Sequence, residues 1–269
     1  MLSAANSLFD LMFRRADFMY MTPPFLAYYA VDTHNASLLA DVVKLCAQYR
    51  QVLQANITGN GQGVWKHIIG PQSQDLGEWS TGNGWAAGGM VRVLATVMKA
   101  PASVVSDKQS DFVATLTGFI KEIIDGAMSS PADTNGLLRN YLNDTGGDGH
   151  GYGEISGTSM LAAAAYRMAV LCPQAFDQTY TQWADGVRET LGNGQHISQN
   201  GTVSPAVNPL NWGDTVPYTA GSPEGNNFVV LMYAAWRDCV QAGVCYLPSN
   251  NTPRARRSLR WHQNRRTHR

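Results

Sequence analysis

Apolar side chains recur every three to four positions along most of the chain, and no stretch keeps the strict alternation that is typical of a β-strand. This spacing predicts an all-α protein. Thr22 before Pro23 is typical of an N-cap followed by a first-turn proline, and Asn35 or Ser37 is expected to cap the second helix. The pattern predicts seven helices in total, at residues 23–31, 37–54, 85–100, 106–128, 154–171, 174–191 and 223–242.

Two kinds of helix alternate along the chain. The first, third, fifth and seventh are rich in small apolar residues with few charges, which is typical of helices buried on all sides, whereas the others have one charged face. Short turns join each apolar helix to its amphipathic partner, and long loops lead to the next pair. The pattern predicts helical hairpins at a period of about 70 residues, with an inner ring of parallel helices inside an outer ring. All long loops then lie at one end, where we expect the functional site.

Composition excludes several classes of protein. The chain has 269 residues, of which 44% are hydrophobic and 15% charged, so it is not a disordered chain and is long enough for one large core. It has no run of 18 apolar residues, and its start lacks the basic-then-apolar order of a signal peptide. We therefore expect neither a membrane partner nor a visible export signal.

The net charge of zero hides an uneven distribution. Seven arginines and no acidic residue lie in the segment 251–269, which leaves 13 basic against 20 acidic residues in the rest of the chain. A basic terminal segment can bind nucleic acid, but the acidic body has no basic stripe that would continue such a surface. We therefore expect one domain over residues 1–250, a disordered or artefactual basic tail over 251–269, and no nucleic-acid partner.

The cysteines and glycosylation sequons favour a secreted, oxidised glycoprotein. The four cysteines form no CxxC pair and have no histidines at zinc-finger spacing, so no metal site is expected. Cys239 and Cys245 are close enough in sequence to form a small disulfide at a helix end. Sequons of the type Asn-x-Ser/Thr begin at Asn35, Asn56, Asn143, Asn200 and Asn250.

Aromatic and acidic residues precede the apolar helices. Tryptophan offers a flat apolar face with a donor at its edge, which suits sugars, and the candidates are Trp65, Trp79 and Trp85. Asp17 lies among apolar residues and is a candidate proton donor. The alternative is that Asp17 caps the following helix or pairs with Arg14 or Arg15.

Three further polar residues have ordinary explanations. His67 is compatible with a simple loop histidine, and Glu154 and Glu224 with the stabilisation of helix N-termini. The convergence of all these segments at one end of the ring nevertheless predicts a carbohydrate-active site with at least one acid. The spacing alone does not identify the substrate.

Five segments identify a family resemblance. In this order, they resemble the motifs of the unsaturated rhamnogalacturonyl hydrolases, glycoside hydrolase family 105, particularly its fungal branch: DFMYMTPPFLAYY, WKHI, WSTGNGWAAGGMVRVL, EISGTSMLAAAAYR and SPEGNNF. The similarity covers about residues 17–245. It implies an (α/α)6 barrel of six helical hairpins. Because about seven of the twelve helices are present, we expect an incomplete toroid that lacks about five N-terminal helices and leaves apolar faces open.

The resemblance also implies the chemistry. The substrates of that family are pectin-lyase products whose terminal uronic acid carries a C4–C5 double bond. Asp17 would be the general acid and base that protonates C4 and directs water to C5, with no cofactor. In most other glycosidases the distance between two carboxyl groups predicts whether the anomeric configuration is retained or inverted. That rule does not apply here, because the reaction is a hydration of a double bond. Two alternatives stay open: a catalytically inactive truncated barrel, and a related unsaturated glucuronyl hydrolase that acts on glycosaminoglycan fragments.

Some of the residues that the resemblance implies for oligosaccharide binding match the family's pattern, and others depart from it. Those that match positions lining the family's sugar site are Met21, His67, Trp79 and Trp85. Thr81 stands where bacterial members have an arginine that can pair with a uronate carboxylate. Arg15 replaces the usual tryptophan two residues before the acid. Substrate preference is therefore the least defined part of the prediction.

Overall fold

The computed structural model describes residues 14–71, 73–146 and 149–246. This part of the chain contains nine α-helices and the 3₁₀ turn Ser106–Lys108, and the isolated bridges between its loops form no strand. The helices are α1 (Phe18–Met21), α2 (Pro23–Asp32), α3 (Ala36–Leu53), α4 (Ser80–Lys99), α5 (Ala102–Val105), α6 (Gln109–Ser129), α7 (Ile155–Leu171), α8 (Gln178–Gly192) and α9 (Pro223–Gln241). Helices α1 and α5 have four residues each, and the other seven are the predicted long helices.

Two helix starts differ clearly from the prediction. Helix α8 begins at Gln178, four residues after the expected start at Gln174. Helix α4 begins at Ser80, five residues before the expected start at Trp85, and includes the glycines at 82 and 84 that indicated a loop. A side chain at Gly84 would meet the Met160 side chain at 2.9 Å. Close packing of α4 against α7 therefore favours glycine at this position, at the cost of weak intrinsic helix propensity.

One of the two predicted helix caps and the predicted disulfide are present. The Asn35 side chain accepts a hydrogen bond from Leu38 N at 3.0 Å at the start of α3. Thr22 occupies the N-cap position before Pro23, but its side chain makes no capping hydrogen bond. Cys239 and Cys245 form the predicted disulfide at the end of α9.

The long helices form hairpins in two layers. Helices α2, α4, α7 and α9 contact one another in that order and form the inner layer, while α3, α6 and α8 pack outside them. Each inner helix is followed along the chain by its outer partner, so the chain forms three hairpins and the first helix of a fourth. This is the predicted incomplete all-α toroid.

Burial follows position in the array. The two central inner helices, α4 and α7, are buried along most of their length. Helices α2 and α9 lie at the ends of the inner layer, and no described helix covers their outer sides. They leave large apolar side chains exposed, including Phe25 at 63% and Val230 at 65%. These are the open faces expected of an incomplete ring.

The starts of the inner helices lie against one another. A side chain at Gly157 on α7 would approach the Ser80 carbonyl carbon of α4 to 2.4 Å, and one at Gly225 on α9 would approach Ser156 Oγ to 3.1 Å. The three N-termini are thus in direct contact. Of the sequence predictions, the domain limits, the basic tail and the sequon at Asn250 involve residues outside the described ranges.

Candidate active site

Three long loops, at residues 54–79, 130–154 and 193–222, lead to the N-termini of α4, α7 and α9. Antiparallel bridges connect the first two loops and the segment before α1: Arg15 pairs with Ile68, and Trp79 pairs with Tyr141. A bridge between Ile68 and Asp75 folds the first loop back on itself. In addition, Ala16 N donates a hydrogen bond of 3.0 Å to the carbonyl of His67. The backbone therefore brings the residue before Asp17 directly to His67.

Asp17 lies at the start of α1. Its side chain is 25% exposed, and its Oδ1 is 3.3 Å from Arg15 Nε. It makes no side-chain capping hydrogen bond, so the structure shows the ion-pair alternative and not the cap. Of its apolar neighbours, Met19 is buried in the core and Met21 is 54% exposed. Asp17 is accessible to a ligand.

His67 is held by an aspartate that the sequence did not indicate. It is fully buried, its Nδ1 is 2.7 Å from Asp75 Oδ2, and its ring lies 4.4 Å from the Trp79 ring and 4.9 Å from the Trp212 ring. The same Asp75 oxygen accepts a hydrogen bond of 2.5 Å from the Tyr141 hydroxyl. Asp75 thus links His67, in its own loop, to Tyr141 in the second loop.

The charge state of Asp75 determines the orientation of the imidazole. Burial alone would raise the pKa of Asp75, but hydrogen bonds from His67, Tyr141 and the backbone of Gly77 outweigh it and lower that pKa below its usual value. An ionised Asp75 needs a proton on His67 Nδ1. His67 Nε2 is buried and has no hydrogen-bond partner among the described residues.

Glu154 ties the N-termini of α4 and α7 together. It is fully buried, caps α7 through Ser156 N at 2.6 Å and Gly157 N, and accepts hydrogen bonds from the hydroxyls of Ser80 at 2.9 Å and Thr81 at 3.0 Å. Burial raises the pKa of Glu154, and these donors oppose that rise. Thr81 is itself fully buried. It therefore supports the site from behind and offers no hydroxyl to a ligand in this arrangement.

Trp85 and Glu224 form the opposite wall. The Trp85 ring packs edge-on against Tyr20 at 4.8 Å and Phe228 at 4.6 Å, and its indole N–H is a hydrogen-bond donor to Glu224. Burial, together with the negative charges of Glu154 and Asp17, raises the pKa of Glu224 to about 7 despite that hydrogen bond. Glu224 is thus an acid that holds a proton close to neutral pH.

The tryptophans differ from expectation in their exposure. Trp65 is fully buried and its backbone N–H donates to Asn83 Oδ1 at 2.7 Å, so it belongs to the core and is not a sugar platform. Trp79 is only 7% exposed because His67 and Tyr141 pack against it. Trp85 is partly exposed and has the better access to a sugar. Short sequence patterns did not distinguish these three environments.

The raised pKa of Glu224 predicts how stability depends on pH. The folded protein binds this proton more tightly than the unfolded chain, whose glutamate has an ordinary pKa of 4.5, so stability is fully present below pH 4.5 and falls as pH rises through 7. The loss is up to about 3 kcal/mol. Glu224→Gln should flatten this dependence. Urea unfolding of both proteins at pH 5 and pH 8 measures it, and parallel losses in the two proteins would contradict the assignment.

Some residues of the site had no sequence signal. Asp75 lies in a polar loop with no motif, and Tyr141 and Trp212 lie in two other loops, so only the three-dimensional path of the chain joins them. Glu224 was visible, but only as a residue at a helix N-terminus. In the part of the chain that the structure describes, no group of three or more His, Cys, Asp or Glu side chains is placed to hold a metal ion, and no helix has the length and apolarity to cross a membrane.

Comparison with known proteins identifies relatives of this fold. Residues 15–209 match the family model described as Glycosyl Hydrolase Family 88. No curated protein matches the chain. Solved structures do: a possible GH105 member from Salmonella enterica superposes with a TM-score of 0.66 at 18% identity, over 83% of this chain and 56% of that one.

Two further structures show the same fold. The family 105 glycoside hydrolase of C. acetobutylicum gives a TM-score of 0.64 at 15% identity, covering 83% of this chain and 65% of its own. The third structure is the unsaturated glucuronyl hydrolase of Bacillus sp. GL1, which is described as responsible for the degradation of glycosaminoglycan. It gives a TM-score of 0.55 at 14% identity, over 86% of this chain and 59% of its own. This chain therefore spans a little over half to about two thirds of the length of these relatives.

Proposed function

Because the chain belongs to Glycosyl Hydrolase Family 88, we propose that it hydrolyses unsaturated uronyl oligosaccharides, in particular rhamnogalacturonan fragments of pectin, by adding water to the C4–C5 double bond. One observation carries the assignment of the site. An accessible carboxyl group, Asp17, is joined through the backbone of Ala16 to His67, whose Nε2 has no partner in the described structure.

The proposed reaction needs one proton donor and one water molecule. Asp17 delivers its proton to C4, and the π electrons of the double bond form the new C4–H bond. The positive charge that develops at C5 is shared with the ring oxygen. Water then adds to C5 and returns a proton to Asp17, so the acid is regenerated. The hemiketal opens to a keto group at C5, C1 becomes an aldehyde, and the remaining sugar leaves with the glycosidic oxygen.

Several other residues of the site support these steps. Arg15, next to Asp17, provides positive charge for the substrate carboxylate, which the uncharged, buried Thr81 does not. Trp85 offers a partly exposed ring for the sugar face, positioned by Glu224. The Asp75 carboxylate holds the buried His67 ring against Trp79, which supports that side of the site. Met21 remains a predicted contact at the exposed end of α1.

A second candidate substrate class is unsaturated glycosaminoglycan disaccharides, favoured by the similarity to the Bacillus enzyme. The test is hydrolysis of both classes and of a saturated disaccharide, followed as loss of the conjugated-alkene absorbance and release of reducing sugar. We expect turnover of the unsaturated rhamnogalacturonan disaccharide, weaker turnover of the glycosaminoglycan product, and none of the saturated sugar. Absence of turnover on every substrate would favour an inactive partial barrel.

We also propose that the protein is secreted. The Cys239–Cys245 disulfide suits an oxidising compartment. Four of the sequon asparagines are exposed and accessible to glycosylation, namely Asn35, Asn56, Asn143 and Asn200. Mass spectrometry of peptides from the protein made by its own host tests this: glycans on these asparagines are expected, and unmodified peptides together with free thiols at Cys239 and Cys245 would contradict it.

A further inference from the structure

A groove runs along the inner face of the helical layer. This inner groove has a volume of about 600 Å³, which falls in the range of small-ligand sites. Every described residue that lines it belongs to α1, α2, α4, α7 or α9, and none of Asp17, His67, Trp85 and Glu224 is among them. The inner groove is therefore separate from the candidate active site, which it approaches only at Tyr20, 4.8 Å from the Trp85 ring.

The floor of the inner groove is apolar. Small and aliphatic side chains of α4 and α7 form it, namely Val91, Ala95, Ala163, Ala164, Val170 and Leu171. The part on α7 extends over two turns of helix, or about 12 Å at 1.5 Å per residue. A floor of this length and chemistry suits an alkyl chain better than a compact polar group.

The charged residues of the inner groove are all cations. Arg92, Lys99 and Arg167 line it, and none of the described residues that line it is an aspartate or a glutamate. Arg167 is compensated by an ion pair with Asp238 at 2.7 Å. The ion pairs of the described residues include neither Arg92 nor Lys99. The inner groove thus has a net positive charge.

Two tyrosines hold the Arg92 side chain in place. Its Cζ lies 5.0 Å from the centre of the Tyr20 ring and 5.6 Å from that of Tyr28, and its Nε donates a hydrogen bond of 3.4 Å to the Tyr28 hydroxyl. Lys99 lies two turns further along α4, on the same side of the helix. A guanidinium that is already oriented can bind a carboxylate through two N–H groups, with a second cation nearby.

We propose that the inner groove binds a medium- or long-chain carboxylate such as a fatty acid, with its headgroup at Arg92 and Lys99 and its alkyl chain on the apolar floor. A small inorganic anion would leave the floor uncovered, and a neutral alkyl chain would leave the two cations uncompensated. A second copy of this chain placed across the groove would bring the same cations against them. The proposed hydrolase activity plays no part in this inference.

The first experiment compares ligands of equal chain length and opposite charge by isothermal titration calorimetry. Decanoate should bind at a single saturable site, about tenfold or more tighter than decylammonium. Butyrate should bind at least about a hundredfold more weakly than decanoate, because it buries six fewer methylene groups. Equal affinities of decanoate and decylammonium would overturn the proposal, since they would indicate adsorption to the open apolar faces of α2 and α9.

The second experiment removes the two cations. Lys99 is exposed, so Lys99→Gln should fold normally and weaken decanoate binding several-fold. Arg92→Gln should weaken it by about tenfold or more. Lys44→Gln, which replaces an exposed lysine on the outer helix α3, is the matched control and should bind as the wild type does. Wild-type affinity in folded Lys99→Gln and Arg92→Gln would contradict the assignment.

A third measurement locates the alkyl chain without any change in charge. Met160 lines the inner groove, whereas Met128 lies on the outer helix α6 and does not. In protein with carbon-13 methionine methyl groups, decanoate should shift the Met160 signal in proportion to occupancy and leave the Met128 signal in place. Met160→Leu and Met128→Leu assign the two signals. Saturable binding with an unshifted Met160 signal would place the ligand elsewhere and refute the proposal, whatever the activity on sugars.

Discussion

Replacing Asp17 with asparagine should lower kcat for the unsaturated rhamnogalacturonan disaccharide by at least about a hundredfold, which is the lower range for loss of a general acid. The amide has nearly the same shape but cannot give a proton to C4 or take one from water. The KM should change less than kcat. The substitution weakens the 3.3 Å ion pair between Asp17 and Arg15, but it leaves the substrate contacts at the opposite wall in place. Steady-state rates measured by alkene absorbance test this.

The matched control is Asp107→Asn. Asp107 is an exposed aspartate in the 3₁₀ turn between α5 and α6, away from the inner-helix N-termini. It should keep wild-type rates and wild-type unfolding behaviour. If Asp17→Asn retains more than about a tenth of the activity while the protein stays folded, another group must supply the proton, and Glu224, with its pKa near 7, would be the first candidate.

Replacing Glu154 with alanine should destabilise the protein by on the order of 3–5 kcal/mol, because four donors lose their acceptor inside the core. These are two backbone N–H groups at the start of α7 and the hydroxyls of Ser80 and Thr81 on α4. The side chain thus caps one inner helix while holding another. Its loss should also loosen the end of the array where the site lies, so activity should fall together with stability.

Glu154→Gln provides the intermediate case. The amide oxygen can take the place of Oε1 and its three donors, but the amide nitrogen would face Ser156 N–H, which Oε2 accepts at 2.6 Å. We expect a loss of about half that of alanine. Urea unfolding followed by circular dichroism measures both variants. An alanine variant within about 1 kcal/mol of wild type would show that water or rearranged hydroxyls replace the carboxylate.

Helical periodicity predicted all seven long helices because each has a recurrent apolar face that the fold uses. It failed at the start of α4, where the glycines of the GNG segment signal a turn. There the packing of α4 on α7 leaves no room for larger side chains, and a contact between distant segments decides the conformation. A local pattern does not contain that contact. The same limit applies to α1, which is only four residues long.

The candidate site could be predicted only in part. Asp17, His67 and Trp85 stand in recognisable segments, and the structure places them around one end of the inner layer. Asp75 was not predictable, because its pairing with His67 depends on the antiparallel bridge between Ile68 and Asp75, which folds one loop back on itself. The elevated pKa of Glu224 likewise arises from tertiary structure, first from burial and then from the negative charges of Glu154 and Asp17 on other elements.

The most direct test of the central claim, enzymatic hydration of the C4–C5 double bond, is the reaction of wild-type protein with the unsaturated rhamnogalacturonan disaccharide in heavy water. Nuclear magnetic resonance would locate the deuterium in the early product. Hydration with Asp17 as the donor predicts loss of the alkene signal at the rate of sugar release, and one deuteron on a single face of C4. Sugar release with the alkene still present, or deuterium spread equally over both faces of C4, would contradict it.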